Sequence, residues 1–183
     1  MIAKNRFIEW DLLNTRMSDI IACLPCFVKA LLLLLIANGA PIMADFFLAR
    51  RFAIPIDAGL TFSDGRPLLG AAKTWRGLIC SILLTGLTGW FLHIGLLRGV
   101  CFAMLSMMGD MLASFCKRRI GLKESTRSRF LDALPESLLP AAFLKDSLGL
   151  DGISVLLLAA VFLFIEEYLS PLLYRLHIRK RPH

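Results

Sequence analysis

Apolar segments alternate with polar loops along the whole of this chain. The pattern predicts about five membrane-spanning helices, at residues 20–42, 77–97, 100–115, 135–148 and 153–173, with a tight turn at Arg98-Gly99 between the second and the third. A transmembrane helix needs about 20 mostly apolar residues, and several of these segments reach that length. Asn38 and Pro41 interrupt the first segment. Polar groups at membrane depth are tolerated inside protein, so we expect Asn38 to face the bundle interior. The predicted fold class is an all-α polytopic membrane protein with two long basic loops.

The composition agrees with a chain made mostly of membrane helices. Hydrophobic residues make up 57% of the 183 residues, and the mean hydropathy is +0.68. Soluble domains are only about 45–50% apolar. We predict a single transmembrane domain at residues 20–174. An interfacial segment or upstream extension at 1–19 precedes it, and a basic cytoplasmic tail at 175–183 follows it.

The distribution of positive charge predicts the topology. The net charge is +7, and with five spans the loops 43–76 and 116–134 and the tail carry 15 lysines and arginines, against 5 on the other side. Cytoplasmic loops are enriched in these residues, so both long loops and the C-terminus are predicted to face the cytosol from the cytoplasmic membrane. The basic residues are not interleaved with aromatic residues, so we expect no nucleic-acid partner.

The first long loop contains a candidate phosphate site. Its basic side chains and its glycines are Arg66, Lys73, Arg76, Gly65, Gly70 and Gly77. Guanidinium, ammonium and freed backbone amide groups together form a cradle for phosphate oxygens. The stretch is not a P-loop, because Ala72 precedes Lys73-Thr74 where that motif requires glycine.

Acidic residues supply a candidate metal site beside the second loop. Asp110, Ser114 and Lys117 lie at i, i+4 and i+7, which places them on one helical stripe from the span to the cytoplasmic edge. An ionisable residue inside a span is a functional candidate by default. Asp132 and Glu136 form a second acidic pair at i, i+4. Mg²⁺ prefers such hard oxygen ligands together with phosphate, so we predict Mg²⁺ at Asp110, Asp132 and Glu136.

Each of these signals also has a structural interpretation. Asp132 and Glu136 could simply favour a helix N-terminus. The basic run at residues 117–119 could be ordinary flanking charge on the cytoplasmic side. The combination favours a site for metal and phosphate, because the intramembrane acid, the second acidic pair and the two basic loops are all predicted at one face.

Three sequence blocks, at residues 37–42, 55–77 and 109–132, carry a family resemblance. Their most specific runs are Lys73-Thr74-Trp75-Arg76-Gly77 and Gly109-Asp110. Together they resemble the CDP-archaeol synthase family, the short five-span relatives of the CDP-diglyceride synthases. The chain departs from the family pattern at Ala71-Ala72 and at Ala133, which leaves fewer polar groups beside the predicted site.

The resemblance implies a reaction in phospholipid biosynthesis. CTP and a membrane lipid phosphate would give a CDP-lipid and pyrophosphate, with Mg²⁺ as the cofactor. Asp110, Lys117 and Asp132 would be the catalytic residues. The substrate-binding residues that the resemblance implies are Asn38, Asp64, Arg66, Lys73, Thr74, Arg76, Ser114, Arg118 and Lys123.

Two alternative functions remain open at this point. A CTP-dependent polyprenol or phytol kinase would transfer the γ-phosphoryl group to an alcohol, and it would need a base beside the acceptor. A small non-enzymatic membrane scaffold or transporter would need none of the carboxylates for its function.

Overall fold

A computed structural model describes residues 2–49, 51–122 and 129–175 of the chain. Within these ranges, six helices follow one another: α1 (Ile2–Leu48), α2 (Trp75–Phe91), α3 (Leu96–Arg119), α4 (Arg129–Phe143), α5 (Lys145–Leu148) and α6 (Gly152–Arg175). The described residues contain no β-strand beyond two isolated bridges, which join Pro55 to Thr74 and Thr61 to Pro67. The all-helical prediction is confirmed.

Three segments of the described helices are long and apolar enough to cross a membrane. They are Pro25–Leu48, Leu96–Arg119 and Gly152–Leu169, judged by length and composition. These segments support an integral membrane protein with several spans. Helices α2 and α4, with 17 and 15 residues, are shorter. At 1.5 Å per residue they measure about 26 and 23 Å.

Helix α3 lies at the centre of the bundle, in contact with α1, α2 and α4, and α6 packs on α1 and α4. The hydrophobic core joins these helices through fully buried side chains such as Leu33, Phe102, Leu158 and Phe162. Burying a large apolar side chain contributes about 1.5–3 kcal/mol in water. In a bilayer the same contacts act through close packing. The centre of the bundle therefore holds α3, with Asp110, among three neighbouring helices.

Helix α1 continues through Pro41 to Leu48, although the sequence predicts an end to the first span at Ile42. Proline has no N–H to give to the carbonyl four residues earlier, which here belongs to Ala37. The hydroxyl of Ser81 in α2 donates a hydrogen bond to the Ala37 carbonyl oxygen at 2.7 Å. The freed carbonyl is thus satisfied by a neighbouring helix, and α1 runs on.

The predicted tight turn at Arg98-Gly99 is wrong, because both residues lie inside α3. The chain turns earlier, at residues 92–95, where His93 and Gly95 have φ angles of 57° and 111°. Gly99 is needed for helix packing: a Cβ atom there would lie 2.7 Å from the carbonyl oxygen of Thr85. Small residues of this kind let α2 and α3 approach closely.

The second loop is shorter than predicted. The basic run at residues 117–119 forms the last turn of α3, and α4 already begins at Arg129. Positive side chains in a last turn interact favourably with the helix dipole, which keeps this turn helical. The predicted fourth span at 135–148 is also corrected: α4 ends at Phe143, and α5 is a separate single turn that stops at the left-handed Gly149.

Candidate functional site

Two ion pairs connect the first loop to α3 and α3 to α4 at one end of the bundle. The Lys73 ammonium, in the loop before α2, lies 2.5 Å from Asp110 Oδ2 of α3. About two turns further along α3, the Lys117 ammonium lies 2.6 Å from Asp132 Oδ1 of α4. The four side chains are between 9% and 28% exposed. The structure therefore brings together the basic and acidic residues that the sequence assigns to phosphate and metal.

Glu136 lies one turn after Asp132 on α4 and is buried. Burial lowers the pKa of Lys73, but the charge of Asp110, with smaller effects from Glu136 and Asp132, outweighs burial and holds this pKa above its usual value. Lys73 thus lies in the field of three carboxylates. We call Lys73, Asp110, Lys117, Asp132 and Glu136 the acid–lysine cluster.

The donor chemistry of the cluster fits Mg²⁺. Three carboxylates from two helices offer the hard oxygen ligands that this ion prefers. Asp132 Oδ1 is buried and has an ion-pair neighbour in Lys117, but no donor in the described part of the chain is aligned to hydrogen-bond it. Among the residues that the structure describes, no three such groups already lie at metal-ligand spacing. Bound Mg²⁺ would neutralise phosphate oxygens, with Asp110, Asp132 and Glu136 as its protein ligands.

The contact between Gly109 and α4 brings these acids together. A Cβ atom on Gly109 would lie 2.3 Å from the carbonyl oxygen of Pro135 and 2.6 Å from the backbone nitrogen of Glu136. The backbones of α3 and α4 therefore touch directly beside Asp110. Only glycine allows this approach, which sets the separation between Asp110 and the two acids of α4.

Arg66 fastens the first loop to the end of α3. Its guanidinium donates hydrogen bonds to the carbonyl oxygens of Arg118 and Arg119, at 3.2 and 2.7 Å. These carbonyls belong to the last turn of α3, where a helix runs out of its own amide donors. The Arg118 carbonyl oxygen also accepts a hydrogen bond from the Gly121 amide at 3.2 Å. The contact places the first loop at the end of α3 from which the chain continues into the second loop. The predicted substrate-binding role of Arg66 stays a prediction.

Arg119 makes the reciprocal contact, which the sequence does not predict. Its guanidinium pairs with Asp64 Oδ1 at 2.7 Å and donates to the Pro67 carbonyl oxygen at 2.6 Å. It also stacks on the rings of Phe62 and Phe115, at 4.6 and 4.9 Å from their centroids. Asp64, predicted to bind substrate, here holds the loop against α3.

Arg76 and Thr74 make local contacts at the start of α2. The buried Arg76 guanidinium donates to the carbonyl oxygens of Ala49 and Arg51, at 2.8 and 2.6 Å, and pairs with Asp45. It thereby ties the end of α1 to α2. The hydroxyl oxygen of Thr74 caps α2 by accepting a hydrogen bond from an amide in its first turn. Their predicted contacts with substrate remain untested.

The remaining predicted residues lie around the cluster. Asn38 exchanges hydrogen bonds with Ser106 of α3, one turn from Asp110, so the prediction that it faces the bundle interior is confirmed. Ser114 is buried on α3. Arg118 is also buried and donates to the Leu122 carbonyl oxygen at 2.5 Å. Lys123 lies outside the described residues.

Asp57 is a positioning residue that the sequence does not single out. It is buried in the first loop. Its Oδ2 accepts hydrogen bonds from the amides of Leu69 and Gly70, both at 2.9 Å, and its Oδ1 accepts one from Gly59 at 3.1 Å. Burial raises the pKa of Asp57, but the three amides outweigh burial and hold the pKa below its usual value. The Asp57 carboxylate therefore fixes the backbone of the loop at Leu69 and Gly70, and Gly70 lies three residues before Lys73.

Replacing Asp57 by asparagine should destabilise the loop in a pH-dependent way. One side-chain amide cannot accept all three hydrogen bonds. The folded-state pKa of Asp57 is lowered, so its stabilisation is complete above its unfolded-state pKa of about 3.9 and is lost as the pH falls through the folded-state value. The difference in unfolding temperature between wild type and Asp57→Asn should thus be largest at neutral pH and shrink below about pH 4.

Thermal unfolding in detergent between pH 7 and pH 3 measures this effect. Asp146→Asn, at an exposed carboxylate in α5, is the matched control and should show no such trend. A difference for Asp57→Asn that stays constant down to pH 3 would contradict the role assigned to the carboxylate.

Known proteins resemble this chain in sequence and in fold. A family model described as "CarS-like: CDP-archaeol synthase" matches residues 24–100. The CDP-archaeol synthase of Hyperthermus butylicus is 35% identical over 128 residues, which cover 67% of this chain and 68% of that protein. The CDP-archaeol synthase of Sulfolobus acidocaldarius is 31% identical, with 81% of this chain and 91% of that protein covered.

A solved structure supports the same relationship. It is described as an intramembrane enzyme for archaeal membrane lipids biosynthesis. It is 26% identical to this chain and superposes with a TM-score of 0.68, covering 78% of this chain and 91% of its own. The matches extend beyond the first helices to most of the bundle that carries the acid–lysine cluster. The chain belongs to the CDP-archaeol synthase family and is an integral membrane enzyme of the nucleotidyltransferase class.

Proposed function

We propose that the protein transfers the cytidylyl group of CTP to a lipid phosphate, with Mg²⁺, and releases pyrophosphate. A phosphate oxygen of the lipid attacks the α-phosphorus of CTP. A new P–O bond forms as the bond from the α-phosphorus to the oxygen bridging to the β-phosphorus breaks. The observation that carries the proposal is the convergence of three carboxylates and two lysines where the first loop, α3 and α4 come together.

The residues of the cluster suit this chemistry without a protein nucleophile. The reaction needs the lipid phosphate in line with the α-phosphorus, so catalysis consists of positioning and charge neutralisation. Lys73 and Lys117 would bind triphosphate oxygens and stabilise the leaving pyrophosphate. Bound Mg²⁺ would supply Lewis-acid neutralisation of phosphate charge. Asp110, Asp132 and Glu136 would hold the ion at the end of the bundle.

The substrates would reach the cluster by two routes. The positive-inside rule places the two basic loops in the cytosol, where CTP is available. We propose that α2 and α4 also cross the membrane, which gives five spans and exposes the cluster at the cytoplasmic leaflet. The acceptor would be an archaeol-type lipid phosphate, in line with the name of the relatives. A lipid phosphate with acyl chains is the main competing acceptor, because an apolar groove distinguishes acyl from isoprenoid chains by only about 1–3 kcal/mol per methylene.

Labelled CTP distinguishes the proposed transferase from a kinase. We expect label from [α-³²P]CTP in the lipid product and label from [γ-³²P]CTP in pyrophosphate, with Mg²⁺ required for both. The assay uses inverted membrane vesicles and offers archaeol phosphate, phosphatidic acid or a polyprenol as the acceptor. Sealed right-side-out vesicles are the topology control and should give no product with external CTP. Transfer of γ-label to a polyprenol would show a kinase, and no transfer from either label would refute the enzyme proposal.

A further inference from the structure

We propose that Lys73 and Lys117 occupy cation positions beside Asp110 and Asp132, so that the divalent metal and the nucleotide bind together rather than separately. The inference rests on the proposed function, because it assumes that the same carboxylates hold the metal. It adds a second role for the two lysines. Each ammonium group occupies a carboxylate oxygen that would otherwise bind the metal, and it leaves this oxygen when it binds a phosphate oxygen of the nucleotide instead.

The two contacts are short and lie on potential ligand oxygens. The ammonium of Lys73 is 2.5 Å from Asp110 Oδ2, and that of Lys117 is 2.6 Å from Asp132 Oδ1. Mg²⁺ binds carboxylate oxygens at about 2.0–2.1 Å, so the ion would lie close to the ammonium on the same oxygen. Two cations at such a separation repel each other strongly in a partly buried site. The metal and the lysines therefore compete for these carboxylates.

Both lysines can move toward a triphosphate. A lysine side chain is a flexible four-carbon stem with a compact charge that makes no fixed planar contact. Lys73 lies in the loop just before the N-terminus of α2, and Lys117 lies in the last turn of α3. Both stems therefore start at the loop end of the bundle. Phosphate oxygens are strong acceptors for ammonium groups, so a bound triphosphate frees Asp110 and Asp132 for the metal.

The exchange couples two binding events. Nucleotide raises the affinity for the metal because it removes the competing ammonium groups, and the metal must raise the affinity for nucleotide by the same factor. Coupling of this kind typically corresponds to about 5–150-fold. Neither ligand alone then assembles the site. The arrangement would keep the carboxylates paired whenever nucleotide is not bound.

Mn²⁺ binding to purified protein, measured by electron paramagnetic resonance without nucleotide, tests the proposal. Lys73→Met and Lys117→Met should each bind Mn²⁺ about fivefold or more tightly than wild type, although both substitutions remove residues that would contact substrate. Lys73→Arg keeps the positive charge and should show no gain. Lys145→Met removes the same charge from an exposed position in α5 and should match wild type.

The results separate this inference from the function on which it rests. Wild-type or weaker Mn²⁺ affinity in both methionine variants would overturn it. An equal gain in Lys145→Met would also overturn it, since net charge alone would then explain the effect. Thermal unfolding shows whether Lys73→Met or Lys117→Met fails to fold. In that case the Mn²⁺ affinity of the other methionine variant decides whether the proposal stands. Transfer of α-label by wild-type protein is measured independently, so the transferase can stand while the lysine exchange fails.

Discussion

Asp110→Asn is expected to reduce the formation of CDP-lipid by about a hundredfold or more. The substitution keeps the shape of the side chain but removes the charge that would hold Mg²⁺ and that pairs with Lys73. Loss of one electrostatic contact to the reacting groups typically lowers kcat by about 10²–10³-fold. Steady-state kinetics in detergent or vesicles, with CTP and Mg²⁺ both varied, measures the effect.

The control for Asp110→Asn is a substitution of the same kind at a distant site. Asp151 accepts a hydrogen bond from the Ser154 amide at 2.9 Å, at the start of α6. Asparagine caps helices about as well as aspartate, so Asp151→Asn should retain wild-type activity. The Lys73–Asp110 pair is partly exposed, so its loss should lower stability by only about 1–2 kcal/mol, below the range for fully buried pairs. Full activity in a folded Asp110→Asn variant would remove this residue from the metal site.

Gly109→Ala should damage both stability and activity. The new Cβ atom would lie 2.3 Å from the carbonyl oxygen of Pro135, and the other nearest atoms also belong to the backbone of α4. No side-chain rotation relieves this contact, so α4 must move away by about 1 Å to regain ordinary van der Waals distances. Overpacking of this kind costs about 1–3 kcal/mol. A displacement of 1 Å between catalytic groups can lower the rate by about 10²-fold.

Gly152→Ala is the matched control for this prediction. Nothing lies within 4 Å of a Cβ atom built at Gly152, in the first turn of α6. Thermal unfolding and labelled-CTP assays on both variants give the stability and the rate, and the control should match wild type in each. Wild-type activity in Gly109→Ala would mean that the contact with Pro135 does not set the spacing of the carboxylates.

The helices could be predicted from the sequence, but several of their boundaries could not. Hydropathy reports where the chain prefers lipid or protein over water. It does not report whether a neighbouring helix supplies a hydrogen bond to the carbonyl that a proline leaves without a donor. Pro41 predicts the end of a helix. Helix α1 continues because the Ser81 hydroxyl of α2 donates a hydrogen bond to the Ala37 carbonyl oxygen, which the proline leaves without a partner. The sequence predicts a turn at Arg98-Gly99. Both residues are helical instead, because Gly99 packs against the backbone of α2.

The residue types of the site were predictable because their chemistry is unusual in a membrane. Asp110, Lys117, Asp132 and Glu136 stand out as charges at or near spans, where charges are rare without a function. Their partners were not predictable. The pairing of Lys73 with Asp110 joins residues that are 37 positions apart, and only the packing of the loop against α3 brings them together. Asp57 and Arg119 likewise acquire their roles from contacts that no local pattern encodes.

The sequence by itself determined an all-helical membrane enzyme with two basic loops, one acid before the second loop, an acidic pair after its basic run, and a glycine beside the first acid. These follow from hydrophobicity, charge and helical period, which are properties of residues and their near neighbours. The tertiary structure alone decided which charge meets which. The ion pairs, the contact of Arg66 with the last turn of α3 and the touching backbones at Gly109 depend on distances between elements, and those distances are set by how the helices pack.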